Sequence, residues 1–176
     1  FAGEIHALVG GNGCGKSTAL AVLSGGYKPQ RGKCKGKAQT ALLAQDTRAM
    51  FAHDTVEAEL RQTAQIYGQM ERWEEVTEKL QIAPLLTKHP YDISVGERQR
   101  AALAKCLLTG AGVLLLDEPT KGMDAFSKHR LAGLLATAKR MGQAVCLVTH
   151  DLEFAAAAAD RCSMMFDGTV MATDQG

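Results

Sequence analysis

Gly10-Gly11-Asn12-Gly13-Cys14-Gly15-Lys16-Ser17 fits the spacing G-x-x-x-x-G-K-[ST], set between an apolar run and a helical pattern. Glycines at these positions let the backbone turn its N–H groups inward around phosphate oxygens, and the helix start behind them favours anions. Lys16 would set its ammonium on the terminal phosphates, and Ser17 would ligate Mg²⁺. Farther along, GVLLLDEP brings Asp117 and Glu118 to the end of an apolar run, the strand edge where open α/β sheets bind ligands. Asp117 would hold the Mg²⁺ shell through water, because Mg²⁺ keeps its waters. Glu118 would polarise an attacking water as general base. By itself such an acidic strand end equally well caps the next turn; beside a phosphate loop it points to phosphoryl chemistry. Gln45 ends QTALLAQ and His150 ends AVCLVTH. Each is an ordinary strand-end residue when read alone.

Positioning these residues takes strands that deliver them to one edge and helices that cover the strands. EIHALVG (4–10) reads as a buried strand, followed by the glycine loop and a helix from about Lys16 to Leu23. QTALLAQ (39–45), GVLLLDE (112–118) and AVCLVTH (144–150) read as further strands, with a helix near 124–141. An alanine-rich helix and a hairpin SMMFDG/TVMAT close the chain. Near-continuous apolar strands alternating with helices predict a mostly parallel sheet covered on both faces. Between Gln45 and the third strand, TVEAELRQTAQIYG, ERWEEVTEKLQ and AALAKCLL carry helical patterns without strand signals, which reads as an inserted helical subdomain.

Composition narrows the class. The 176 residues suit one α/β domain with a real core, and a net charge of +1 implies no polyelectrolyte partner. Five cysteines, an odd number without CxxC or metal spacing, fit a reducing compartment better than a disulfide framework. The longest aliphatic runs, GVLLL and AAAAA, are far too short to span a bilayer. Phe1 stands directly before a strand, so the chain reads as part of a longer protein.

ISVGERQR (93–100) has no counterpart elsewhere in the chain. Ser94 with Glu97 three residues on makes a capping box, so the segment starts a helix. The order GGNGCGKST, LLAQD, ISVGERQR, LLLDEPT, GMD and VTHD resembles the nucleotide-binding domain of an ABC ATPase over essentially the whole chain. That resemblance implies an α/β P-loop NTPase fold, truncated at its N-terminus. The nucleotide-binding core would occupy 1–50 and 111–176, and the helical subdomain with its signature loop 51–110. ATP and Mg²⁺ are implied with it. Gly10, Asn12, Gly13, Cys14, Gly15, Lys16, Ser17 and Thr18 would contact nucleotide, and Ser17, Gln45 and Asp117 the metal. Lys16, Glu118, His150 and Gln45 would carry catalysis, His150 as the switch histidine and Gln45 as the link to subdomain movement.

In that family the signature, usually Leu-Ser-Gly-Gly-Gln, contacts the γ-phosphate of a nucleotide bound to the opposite subunit. Ser94, Gly96 and Glu97 would do so here, and Asp124 resembles the aspartate that crosses the dimer interface. Val95 replaces the first glycine and must avoid positive φ, while Glu97 replaces glutamine. The adenine-stacking aromatic of the family lies well upstream, and Phe1 is too close to the loop to take that role.

The interval from Gln45 to Ser94 admits a compact helical subdomain but no long coiled coil, unlike DNA-repair and chromosome-organising relatives. MFAHDTVEAEL, DEPTKGMDA and THDLEFAAAAADRCSMMFDG resemble the ATPases of energy-coupling factor importers, which take up vitamins or transition-metal ions such as cobalt and nickel. The partners implied are a second ABC ATPase domain (identical, paralogous or tandem) and an integral membrane component, at the cytoplasmic face of the cell membrane. No nucleic acid is expected. The alternative is a soluble ATP-driven clamp acting on ribosomes or nucleic acid. Met50, Phe51 and Val56 either line a groove for a helix of the membrane partner or pack as core. Lys28, Arg31, Lys33, Lys35 and Lys37 read as a solvated edge, and Trp73 as core of the helical block.

Overall fold

The computed structural model describes residues 3–34, 36 and 38–175, so Phe1, Lys35 and Lys37 of the expectations above lie outside the described residues. Six strands form one sheet in the order β2-β3-β4-β1-β5-β6. They are β1 (Ile5–Val9), β2 (Thr40–Leu43), β3 (Val113–Asp117), β4 (Ala144–Thr149), β5 (Arg161–Phe166) and β6 (Thr169–Gln175). The first five run parallel and β6 returns antiparallel to β5. Burial explains the apolar runs: Leu114, Leu115 and Leu116 of β3 are at most 1% exposed, and a strand covered on both faces has no use for alternation. Each of these leucines contributes about 2 kcal/mol of burial free energy.

The chain divides into two compact units. One takes in the residues up to Gln45, Ala111–Thr120 and everything from Leu135 onward. It holds the whole sheet, together with α1 (Lys16–Leu23) and α6 (Leu152–Ala158). α1 stops because Gly25, at φ 80, turns the chain and donates its N–H to the Val22 carbonyl. Asp151 caps α6 by accepting the Phe154 N–H at 3.0 Å.

The other unit comprises Asp46–Gly110 and Lys121–Leu134. Its helices are α2 (Val56–Ile66), α3 (Trp73–Lys79) and α4 (Val95–Leu107), and α5 (Ala125–Arg140) begins in it. Val56, Leu60, Thr63 and Ala64 form the buried stripe of α2 at helical spacing. Leu103 and Leu107 of α4 are fully buried, as are Ala101, Ala102 and Ala104.

Glu59 sits in that stripe at 3% exposure and is fully used. It accepts the Ala52 and His53 backbone N–H groups, at 2.7 and 2.9 Å, and pairs with Lys105 and the His53 ring. Burial alone would push its carboxyl up; the Lys105 bond and the two backbone bonds outweigh it and hold the group at about 2. Lys105 also donates to the Met50 carbonyl, so this node fixes residues 50–53. Phe51 and Val56 are buried, 8% and 0% exposed, which makes them core rather than an open groove lining. Trp73 is only half-buried, its ring covered by the Arg61 guanidinium at 4.6 Å. Lys28, Arg31 and Lys33 are exposed.

Candidate active site

The loops leaving β1, β3 and β4 all lie at the carboxyl edge of the sheet, where the strand order reverses around β1. A cleft of about 260 Å³ opens there. Asn12, Gly13, Gly15, Lys16, Ser17 and Thr18 line one side, and Gln45, Asp117 and Glu118 the other. Gly10 and Cys14 belong to the same loop, the first half-buried and the second buried.

Lys16 opens α1 and is 7% exposed. Its ammonium donates to the carbonyls of Gly10 and Gly11, at 2.9 and 2.8 Å, and lies 3.7 Å from the Cys14 sulfur. Gly15 takes the N-cap position at φ 100, and no side chain caps the helix. The first-turn amides of α1 thus have neither intrahelical nor side-chain partners, the arrangement that receives an anion.

Asp117 ends β3 at 5% exposure, and Glu118 follows at 8%. Glu118 has φ 50, a left-handed conformation that costs a side-chain-bearing residue roughly 1 kcal/mol or more. Its N–H is held by the Val148 carbonyl at 2.9 Å, and its Oε2 accepts from the Thr149 hydroxyl at 3.3 Å. His150 Nδ1 lies 2.9 Å from the same oxygen. A carboxylate only accepts, so the geometry calls for a proton on Nδ1. The rest of the imidazole stands in solvent, with the side chain 73% exposed. Thr149 went unnoticed in the sequence reading. It is fully buried and also accepts the Asp151 N–H at 3.0 Å, so it ties Glu118 to the loop that carries His150. The only signal was its place before the histidine in VTHD.

The donor set suits a divalent cation with phosphate. Ser17 offers a hydroxyl, Gln45 an exposed amide and Asp117 a buried carboxylate, all on one small cleft with a single lysine. Among the described residues that line the cleft none is aromatic.

Ser94, Gly96, Glu97 and Asp124 lie in the second unit. Ser94 Oγ accepts the Glu97 N–H at 3.3 Å, and Glu97 Oε2 accepts the Ser94 N–H at 2.8 Å, a complete capping box. The backbone and hydroxyl bonds from Ser94 hold the Glu97 carboxyl below its usual range. Val95 is the first helical residue, away from positive φ and 55% exposed, so its side chain meets no obstacle. Gly96 differs. A Cβ there would stand 2.6 Å from the Gly122 carbonyl oxygen, so the α4 start is pressed against the loop preceding Asp124. Asp124 accepts the Ser127 N–H at 2.8 Å, and the bonds from Ser127 lower its pKa.

Fold and cleft together define a P-loop nucleotide-binding domain. The ABC transporter family profile matches residues 1–121, and the chain belongs to that family. It is 38% identical over 188 residues to a Bacillus cereus protein provisionally named an ABC transporter ATP-binding protein, covering 98% of this chain and 34% of that one. It is 35% identical to the aliphatic sulfonates import ATP-binding protein SsuB 2 of Pseudomonas aeruginosa, covering 96% and 64%. A Bacillus subtilis protein provisionally named an HMP/thiamine import ATP-binding protein is 33% identical, covering 94% and 33%. The chain therefore spans about a third of the length of the Bacillus relatives. Among solved structures, the dimeric ATP-binding cassette MJ0796 bound to ADP and Pi superimposes with a TM-score of 0.86 at 20% identity, over 99% of this chain and 86% of that one, a likeness of fold. RNase-L inhibitor gives 0.84 at 27% identity, over 93% and 32%. The chain is thus a domain of the ABC transporter family, mixed α/β with a mostly parallel sheet.

Proposed function

We propose that the protein hydrolyses ATP to drive a membrane importer of the energy-coupling factor type, for a vitamin or a transition-metal ion. What supports it above all is the placing of Lys16, Asp117, Glu118 and His150 at one sheet edge around a polar cleft. Residues 1–50 and 111–176 would be the nucleotide-binding core, and 51–110 the helical subdomain with its signature loop. The thiamine-import name of one relative and the phrases MFAHDTVEAEL and DEPTKGMDA support the importer type. Among the described residues no helix is long and apolar enough to cross a membrane.

In this reading Lys16 exchanges its two carbonyl partners for phosphate oxygens. The loop amides and the start of α1 hold the triphosphate. Ser17, Gln45 and Asp117 would hold Mg²⁺, which neutralises phosphate charge when bound. Glu118 takes the proton of an in-line water, its carboxylate oriented by Thr149 and His150. Ser94, Gly96 and Glu97 would act on the nucleotide of a second ABC domain, with Asp124 at that interface, as the order of motifs in the sequence implies. The site would work at the cytoplasmic face of the membrane.

A second reading, a soluble clamp acting on ribosomes or nucleic acid, has behind it the likeness to the archaeal ribosome recycling factor aABCE1, 26% identical with a TM-score of 0.82, but a net charge of +1 gives it no electrostatic footing on nucleic acid. A tagged pull-down of the full-length protein from detergent-solubilised membranes separates the two. Recovery of an integral membrane protein is expected; recovery of ribosomes or soluble factors alone overturns the importer.

A further inference from the structure

The phosphate-binding loop does not hold its shape alone. Three contacts reach it from the β5–β6 hairpin, whose residues have no part in the nucleotide chemistry described above. A Cβ on Gly10 would overlap the Met165 carbonyl oxygen, so the first glycine of the loop is pressed against the backbone of β5. The Met165 methyl lies 3.2 Å from where a Cβ on Gly15 would stand. The Gly168 N–H donates to the Cys14 carbonyl at 3.0 Å.

Local sequence explains why the hairpin can reach. Asp167 and Gly168 both take positive φ, 44 and 75, as an Asp-Gly two-residue hairpin turn requires, with Phe166 paired to Thr169. The strand register shifts between Met164 and Met165, a bulge of the kind that re-aims a side chain. Met164 is 55% exposed whereas Met165, at 8%, packs into a cluster with Leu8, Cys14 and Leu20.

The bond to Cys14 bears on the chemistry. The chain contains no cis peptide among its described residues, and in a planar trans peptide the C=O and the following N–H point in opposite directions. Drawing the Cys14 carbonyl toward Gly168 therefore aims the Gly15 N–H away from the hairpin. Gly15 lines the cleft and caps α1, so that amide is one of the donors a phosphate would meet.

We propose that the Met165–Gly168 tip is a positioning element for the phosphate-binding loop: it sets the direction of the Gly15 amide and thereby the affinity for a nucleoside triphosphate. The proposal rests on the nucleotide reading of the cleft. It is tested by titrating MgATP into full-length wild type, M165A, M165L and G168A, with melting temperatures measured in parallel. L135A serves as a remote truncation in the same unit, Leu135 being fully buried. M165A should raise the Kd about tenfold, because small displacements of a positioned group are costly, whereas M165L should stay within about twofold. G168A meets no atom but is strained at φ 75, and should raise the Kd about threefold. L135A should lower the melting temperature and leave the Kd unchanged. Wild-type affinity in M165A, or equal loss in L135A and M165A, overturns the proposal. A wild type that does not bind MgATP overturns the nucleotide reading, and this proposal with it.

Discussion

Two helix starts in this molecule do opposite things with the same backbone groups. α1 begins at Gly15 with no side-chain cap, and a buried lysine stands beside it. α4 begins at Ser94 with a reciprocal capping box, in which even the Glu97 carboxylate is spent on its own backbone. A start left open is pre-formed for an anion but gives up the roughly 1 kcal/mol that a cap supplies. A capped start is stable as it stands and keeps only its remaining first-turn amides for an outside phosphate, since the Ser94 hydroxyl proton already faces Glu97. The first therefore suits a bound nucleotide within one chain, and the second a contact made only when another domain closes on it. Under the proposed reading of 93–100 as a signature loop, its altered residues fit this division. Glu97 in place of glutamine strengthens the cap, and Val95 points outward where nothing resists it.

The largest effect expected on this comparison comes from Glu118, on the open side. Glu118→Gln should lower kcat about a thousandfold while MgATP affinity stays within about threefold, since the general base acts in the chemical step and not in binding. Single-turnover hydrolysis beside equilibrium binding reads both, and unchanged turnover would remove Glu118 from the base role. On the capped side, Gly96→Ala should cost about tenfold or more in turnover because the new methyl meets the Gly122 carbonyl, whereas Val95→Ala should stay within about twofold. Equal losses in the two variants would show that the signature start is read by composition and not by its packing.

The smallest effect belongs to the buried node at Glu59. Its carboxyl lies at about 2, below the ordinary 4.5, so its stabilisation is present above pH 4.5 and disappears as pH falls toward 2. Glu59→Gln should melt several degrees lower than wild type at pH 7, with the gap closing through that acid window. A gap that stays constant down to the acid limit would mean that the charge of Glu59 does not matter.

Much of the architecture was readable in the chain because local signals agreed with the global fold. The start of α1 at Lys16, the opening of α4 behind Ser94 and the Asp-Gly hairpin each have a cap or turn residue at a fixed offset. The cleft residues were placed by the same signals: motif spacing sets Asp117 and Glu118 at a strand end and Lys16 at the start of the helix behind the glycine loop. What escaped depends on contacts between segments distant in sequence. Glu59 resembles any charged helix residue until Lys105 and the 52–53 amides are brought to it. Gly96 looks like a nucleotide contact alone until Gly122 is found against it. The left-handed φ of Glu118 has no signature in its residue type, and Trp73 was expected inside because its size outweighs the exposed Arg61 that covers it.

The most direct test of the division between the two helix starts is MgATP affinity measured side by side in full-length Lys16→Ala and Ser94→Ala. The account predicts that Lys16→Ala weakens binding about a hundredfold or more, while Ser94→Ala binds within about twofold of wild type and loses turnover only. Comparable loss of affinity in both variants, or normal binding by Lys16→Ala, would contradict it.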